Sequence, residues 1–225
     1  MASLKSKQSQ ISEIVRCGKD PVYFMNKYLK IQHPLKGLIP FKTYEFQDDC
    51  VKEFNDYRFN IILKSRQLGL STLVAAYAVW QSVFYKDKNV LIIATKLAVA
   101  QNFIRKLKTY IKSMPNWLLV PVVTANNKQQ VEFSNGSQIK AVPTSEDAGR
   151  SEALSLLIVD EAAFVRNFDE LWMGLYPTLS TGGRAILLST PNGVGGQYHE
   201  IYTKSLRKEN EFNPIKLMWD VHPER

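Results

Sequence analysis

The stretch from Ile61 to Trp80 constrains the fold of this chain more than any other part of the sequence. It begins with an apolar run, passes through a short polar turn that contains Gly69, and continues with the pattern of an apolar helix. A strand, a turn and a helix in this order form a phosphate-binding loop when backbone N–H groups and the helix N-terminus point at one anion. The sequence therefore indicates either such a loop or an ordinary strand-to-helix turn that is capped by Ser71 or Thr72.

The turn matches the usual phosphate-loop pattern, G-x-x-x-x-G-K-[ST], only in part. Gly69 and Ser71 occupy the positions of the second glycine and of the hydroxyl that binds Mg²⁺, but Leu70 replaces the lysine and Lys64 the first glycine. The candidate ATP-binding residues of this turn are Ser65, Gln67, Leu68, Gly69, Leu70, Ser71 and Thr72.

A second motif favours the phosphate-loop interpretation. The apolar run from Leu154 to Val159 is typical of a parallel strand buried on both faces, and it ends in Asp160 and Glu161. Beside a phosphate loop, the first acid can hold the water shell of Mg²⁺, and the second can orient or deprotonate an attacking water. Two adjacent acids after a strand can also be a solvated helix start, but both motifs in this order and spacing indicate nucleotide hydrolysis.

Composition sets the class of the protein. A chain of 225 residues with 45% hydrophobic content predicts one α/β domain with room for a small appendage. The net charge of +8 favours a polyanionic partner, although excess lysine also promotes solubility. Cys17 and Cys50 lie far apart in sequence and predict neither a disulfide framework nor a zinc site. Because there is no apolar run of transmembrane length and no signal-peptide core, we expect a soluble protein of a reducing compartment.

Apolar patterns and turn residues predict the other elements. We expect a marginal, frayed helix over 1–19, a helix that Asp20 caps from Pro21 onward, and a loop over 33–40. Further along the chain we expect a helix opening within 41–54, a strand at 89–95, a helix at 97–114, a hairpin at 131–142 with a type I′ turn at Asn135-Gly136, a strand at 184–190, a helix at about 196–208 and a strand at 215–219. Strands alternating with helices predict a mostly parallel sheet with active groups at the carboxyl ends of the strands.

Several polar side chains outside the two motifs are candidates for function. Gln47 opens a helix upstream of the loop, and its amide offers a donor and an acceptor to an adenine edge. The neighbouring Tyr44 and Phe46 are either stacking rings or core residues. Cations at Arg105, Lys106, Lys108 and Lys112 form either a solvated helix face or a DNA-tracking surface.

Two further positions have equally open interpretations. Arg150, in a polar loop before the acidic strand, either reaches the γ-phosphate of a neighbouring subunit or is a surface arginine. Ser189 and Thr190 end a buried strand, where hydroxyls either sense the γ-phosphate or simply terminate the strand before Pro191.

Three segments, 65–72, 157–162 and 188–193, together resemble the motifs of the large terminase subunit of tailed bacteriophages, the motor that packages DNA into procapsids. The resemblance covers nearly the whole chain. It implies a RecA-like P-loop NTPase that hydrolyses ATP with Mg²⁺ and works as a homo-oligomeric ring, commonly a pentamer, on the procapsid. The implied partners are double-stranded DNA, the portal protein and the small terminase subunit, in the host cell cytoplasm and away from membranes.

The resemblance also implies residue roles. Gln47 would recognise adenine, and Ser71 and Asp160 would hold the metal. Glu161 would activate the hydrolytic water. The hydroxyls of Ser189 and Thr190 would couple hydrolysis to DNA movement, and Arg150 falls where related sequences place an arginine proposed to act across subunits.

Two departures from the family pattern matter. Leu70 stands in place of lysine, and some terminases instead carry the cation at the start of the loop, as Lys64-Ser65-Arg66 does here. We assign Lys64 to the missing lysine's role, because an ammonium on a flexible stem can reach a phosphate across a tight loop. We assign Arg66 to the transition state, because a planar guanidinium can bind phosphate with two hydrogen bonds. The second departure is length, since the acid cluster of a following nuclease is missing after Gly193, and we expect ATP hydrolysis without DNA cleavage.

The expected division is a helical extension over 1–40, an ATPase core over 41–210 and the start of a lid or linker over 211–225. Two other functions remain open. A helicase-like translocase is disfavoured because no histidine follows Asp160-Glu161-Ala162-Ala163. A nucleotide-binding assembly module with little hydrolysis is suggested by Leu70.

Overall fold

The computed structural model describes residues 2–144 and 152–223. The helices are α1 (Ala2–Lys19), α2 (Pro21–Tyr28), α3 (Glu45–Asp56), α4 (Leu70–Phe84), α5 (Leu97–Ser113), α6 (Phe168–Leu175) and α7 (Gly196–Leu206). The strands are β1 (Lys30–His33), β2 (Gly37–Pro40), β3 (Phe59–Lys64), β4 (Asn89–Ala94), β5 (Val123–Asn126), β6 (Gln130–Phe133), β7 (Gln138–Pro143), β8 (Leu156–Asp160), β9 (Arg184–Ser189) and β10 (Phe212–Leu217). Short 3₁₀ helices lie at Ala162–Phe164, Tyr176–Leu179 and Trp219–Val221.

A mostly parallel sheet forms the centre of the molecule, which confirms the predicted α/β fold. Across the described ranges its strand order is β10-β3-β9-β8-β4-β7-β6-β5, with parallel pairing from β10 to β7 and antiparallel pairing beyond. The carboxyl ends of β3, β9 and β8 therefore meet at one edge. This topology brings the loop after Lys64, the Ser189-Thr190 pair and the two acids together.

Both faces of the sheet are covered, which explains the continuous apolar runs of its central strands. Ile62 and Ile158 face the layer that contains α1 to α5, whereas Ile61 and Leu157 face the layer that contains α6 and α7. α4 is buried over most of its surface, as its apolar sequence predicts.

The N-terminal segment forms a helix that packs against the rest of the molecule through its C-terminal half. Cys17 of α1 is fully buried in the core, and Glu13 accepts hydrogen bonds from Tyr23, Lys27 and Tyr28. The following helix is capped as predicted, with Asp20 Oδ1 accepting from the N–H of Tyr23 over 2.8 Å.

Two predictions about turns are wrong. Residues 33–40, predicted as a loop, belong to the β1–β2 hairpin, whose four-residue strands are too short to show a clear alternation of polar and apolar residues. The β6–β7 hairpin exists, but its turn is not type I′. That turn requires positive φ at both central residues, and only Gly136 has it, at 81°. In this turn the Asn135 side-chain amide donates to the carbonyls of Ser82 and Tyr85, which lie outside the hairpin.

The expected boundaries at 40 and 210 do not coincide with breaks in packing. Phe24 and Met25 share a core with α4, and β10 pairs in parallel with β3 along its whole length. Phe212–Leu217 is thus a strand of the central sheet, while the division into domains stays a prediction. No helix in the described part of the chain is long and apolar enough to cross a bilayer.

Candidate active site

The loop between β3 and α4 forms an anion-binding concavity. Gln67 and Gly69 have φ of 60° and 74°, and these left-handed conformations turn successive amides toward one side. The N–H groups of residues 68–71 follow this turn directly. They lie at the N-terminus of a 15-residue helix, where the helix dipole also favours an anion.

Gln47 lies against this loop and supports it. Its side chain is 3% exposed, its Nε2 donates to the carbonyl of Leu68 over 2.9 Å, and its Oε1 accepts from the N–H of Tyr44 over 3.2 Å. A Cβ at position 69 would lie 2.7 Å from Gln47 Nε2, so glycine is required there on two grounds. The structure therefore gives Gln47 a loop-positioning contact, and its recognition of adenine stays a prediction.

The aromatic rings near Gln47 form a small stack with a residue from the chain's other end. The ring centroids of Tyr44 and Phe46 lie 5.8 Å apart, and His222 lies 4.6 Å from Tyr44. Phe46 also packs against the core, as one of the two interpretations predicts, and stacking of either ring on adenine stays a prediction. Nothing in the sequence singled out His222.

Asp160 and Ser71 form an oxygen-rich site at the end of β8. Ser71 Oγ donates to Asp160 Oδ2 over 2.9 Å, and Asp160 is 5% exposed. Burial raises the pKa of Asp160 above its ordinary value, with Lys64 and the Ser71 hydroxyl opposing this only in part. Its other oxygen, Oδ1, is buried without a hydrogen-bond partner in the described structure. Hydroxyl and carboxylate oxygens suit Mg²⁺, and the orphaned oxygen fits a hydrated cation.

Glu161 lies within reach of several donors. Its Oε1 accepts from the Lys64 ammonium over 2.8 Å, and its Oε2 accepts from the backbone N–H and the hydroxyl of Thr190 over 2.9 Å each, with the Ser189 hydroxyl at 3.3 Å. Burial raises the pKa of Glu161, but the hydrogen bonds from Lys64 and Thr190 outweigh it and leave the pKa below its ordinary value. Glu161 also has a φ of 53°, a strained conformation for this residue.

The remaining predicted residues occupy varied positions. Leu68 and Leu70 are 2% exposed, so only their backbone amides face the concavity. The N–H of Ser65 donates to Leu217 of β10, and the N–H of Thr72 donates to Gly69. The Arg66 side chain is exposed on the loop. Arg150 lies outside the described residues.

Lys106 lies beside this site, at a position that the sequence did not reveal. It lines the same cavity as Ser71 and Asp160, although the sequence showed it only as one of four cations on α5. Lys106 follows the buried Phe103 by three residues and precedes the buried Tyr110 by four. This spacing puts it on the same face of α5 as those two residues.

Comparisons with known proteins place this geometry in context. Residues 61–222 match the family model described as terminase large subunit, T4likevirus-type, N-terminal. The ATPase domain of the Thermus phage P74-26 large terminase is similar with a TM-score of 0.69 and 20% identity, over 82% of this chain and 85% of that one.

Two longer proteins share the fold. The large terminase of bacteriophage HK97 is similar with a TM-score of 0.72 and 15% identity, over 90% of this chain and 43% of that one. The large terminase of a thermophilic bacteriophage, in a complex with ADP, is similar with a TM-score of 0.62 and 14% identity, over 80% of this chain and 47% of that one. The chain therefore corresponds to less than half the length of each of these two proteins.

Proposed function

The chain belongs to the T4-like large terminase family, as a match to its N-terminal domain, and we propose that it binds and hydrolyses ATP to move double-stranded DNA into a procapsid. This proposal rests on one observation, the contact between the phosphate loop and the acidic pair at the end of β8. The Ser71–Asp160 and Lys64–Glu161 hydrogen bonds join the phosphate loop to both acids at one edge of the sheet.

Nucleotide binding follows from the backbone amides of residues 68–71 at the N-terminus of α4. They would hold the phosphate chain, while Lys64 at the end of β3 supplies the positive charge that Leu70 cannot. Ser71 and Asp160 would hold Mg²⁺, which offsets phosphate charge and polarises the γ-phosphate when bound. Solved structures of the terminase from the thermophilic bacteriophage include complexes with ADP and ATP-gamma-S, which supports a nucleotide at this site.

Hydrolysis requires Glu161 to act on a water molecule. Its carboxylate would take a proton as the water oxygen bonds to the γ-phosphorus and the bond to the β-phosphate oxygen breaks. A triphosphate competes with Glu161 for Lys64, so its arrival would free one carboxylate oxygen for this water. The exposed Arg66 would stabilise charge in the transition state, and Arg150 would do so from a neighbouring subunit.

Coupling to DNA would run through Ser189 and Thr190. Their hydrogen bonds to Glu161 give the end of β9 direct contact with the proposed base. A change in the position of Glu161 during the cycle would therefore displace the loop that follows Thr190. We assign the ring on the procapsid, the portal protein, the small terminase subunit and the host cytoplasm to this proposal.

Steady-state ATPase activity tests the proposal. We expect Mg²⁺-dependent hydrolysis in the wild type, and losses of about 100-fold or more in Glu161→Gln and Lys64→Ala. Glu200→Gln on the exposed face of α7 is the matched control and should retain activity, because the one ion pair of Glu200 within residues 2–144 and 152–223 is with Lys204 of the same helix. Equal activity in the wild type and Glu161→Gln would overturn the mechanism. Tight ATP binding without hydrolysis in the wild-type ring would favour the assembly module.

A further inference from the structure

A cavity of about 550 Å³ lies beside the proposed metal site, between the β1–β2 hairpin, the start of α4 and one face of α5. Ser71 and Asp160 line this cavity together with Lys106 and Arg105 of α5. The cavity therefore adjoins the proposed metal site and has two cations in its lining.

Lys106 is a partly buried cation with no carboxylate beside it. Its ammonium lies 5.4 Å from the ring centroid of Phe103, and no carboxylate oxygen in the described ranges lies within 4.0 Å of it. Burial lowers the pKa of Lys106, and the charge of Asp160 opposes this only in part. An anion in the cavity would stabilise the Lys106 ammonium and so offset the hydration that this group loses on burial.

The neighbouring polar groups also suit an anion. Arg105 donates to the Asn102 side-chain oxygen, so the amide NH₂ of Asn102 remains available as a donor. Asp160 repels anions when it is uncompensated, but a cation held by Asp160 and Ser71 would remove that repulsion. The cavity thus suits an anion best when Mg²⁺ is present.

We propose that this cavity is a second anion site, in which Lys106 and Arg105 hold the inorganic phosphate released by hydrolysis before it leaves the protein. This inference rests on the proposed function. It adds Lys106 of α5 to the catalytic cycle and gives the leaving phosphate a path that starts at the proposed metal site. A phosphate group of the DNA backbone has the same chemistry and is the other possible source of the anion.

Titration of the nucleotide-free protein with inorganic phosphate, in the presence of Mg²⁺ and followed by ³¹P NMR, tests the site without ATP turnover. We expect Lys106→Gln to weaken phosphate binding about 10-fold, the effect of losing one charged hydrogen bond. Lys112→Gln on the exposed side of the same helix should leave it unchanged. If the affinity falls in Lys64→Gln and not in Lys106→Gln, phosphate occupies the nucleotide loop and the proposal is overturned.

Two further measurements distinguish product phosphate from the DNA backbone, and failure of this proposal from failure of the proposed function. In a single turnover, Lys106→Gln should alter the rate of phosphate release several-fold, while the rate of bond cleavage and the affinity for ATP stay as in the wild type. If a short DNA duplex displaces phosphate from the wild type and release is unaltered in the variant, the site binds the DNA backbone and the product assignment is wrong. Loss of hydrolysis in the wild type would refute the proposed function while leaving the phosphate titration interpretable.

Discussion

The Lys64 ammonium donates a hydrogen bond of 2.8 Å to Glu161 Oε1, and this contact joins two residues that lie 97 positions apart. The Lys64 side chain is 7% exposed and that of Glu161 is 33% exposed, so the pair is partly shielded from solvent. Without nucleotide, the cation proposed to neutralise phosphate and the carboxylate proposed to activate water neutralise each other. A bound triphosphate must therefore break or share this contact.

Replacing Lys64 should change both the affinity for ATP and the pKa of Glu161, the proposed base. In Lys64→Gln we expect ATP affinity to fall about 10-fold or more, because a charged hydrogen bond to phosphate is lost. The pKa of Glu161 should rise, since burial would no longer be opposed by the cation, and the acidic limb of any residual activity should move to higher pH.

Arg66→Gln is the matched comparison for Lys64→Gln. It should leave ATP affinity near the wild-type value and lower kcat, as expected for a group that acts in the transition state. Binding isotherms and pH–rate profiles of both variants measure these effects. A silent Lys64→Gln with weak binding in Arg66→Gln would reverse the two assignments.

Gly69→Ala should disable the loop without unfolding the protein. The backbone has a φ of 74°, which costs an L-residue about 1–2 kcal/mol, and the new Cβ would press on Gln47 Nε2. We expect a loss of nucleotide affinity of about 10-fold or more. Gly37→Ala is the control, because its φ of 69° is similar but nothing lies near its Cβ. An unchanged nucleotide affinity in Gly69→Ala would show that this backbone conformation is irrelevant to binding.

Metal binding should depend on pH through Asp160. Because burial raises the pKa of Asp160, the folded protein takes up this proton at a higher pH than the unfolded chain does. Mg²⁺ affinity should therefore fall on acidification starting above the ordinary aspartate range. The metal-free protein should instead gain stability as the pH falls through that window. Calorimetric Mg²⁺ titrations across pH measure this, and Asp160→Asn should abolish both effects. A pH-independent affinity would show that Asp160 is not a ligand.

Thr190→Val tests the coupling role. Valine keeps the shape but removes the hydroxyl bond to Glu161 Oε2, while the backbone N–H bond remains. We expect ATPase activity within about 10-fold of the wild type and a larger loss of DNA movement in a packaging assay. Thr203→Val, whose hydroxyl bonds to the carbonyls of His199 and Glu200 in its own helix, should change neither. Equal losses of hydrolysis and movement in Thr190→Val would place Thr190 in the chemistry alone.

The docking of α1 should weaken in acid. Hydrogen bonds from Lys27, Tyr23 and Tyr28 lower the pKa of Glu13 to about 2. A lowered pKa stabilises the fold above the ordinary value of 4.5 and loses that contribution as the pH falls toward 2. Glu13→Gln should lower Tm by about 2–4 °C at pH 7 and by less at pH 3, as measured by thermal unfolding. Glu209→Gln, at an exposed position, is the control. A constant difference at both pH values would exclude the ion pair as the cause.

Local sequence patterns predicted much of the fold. The strand runs, the capped helix at Pro21 and the helix after Gly69 depend on neighbours in sequence, so periodicity and capping residues were enough to predict them. The β1–β2 hairpin was missed because its four-residue strands are too short to show a clear alternation. The turn at Asn135 was predicted wrongly because the Asn135 amide bonds to the distant Ser82 and Tyr85, which a local pattern does not show.

By itself, the sequence determined the order of the motifs and the residue types available to a phosphate and a metal. The tertiary structure alone decided which of them meet. Parallel pairing of β3, β9 and β8 brings the ends of three distant segments to one edge, and there Lys64 contacts Glu161 and Ser71 contacts Asp160. The same packing turned Gln47 toward the loop and Lys106 toward the cavity. Such contacts depend on strand order and side-chain direction, which no local pattern encodes.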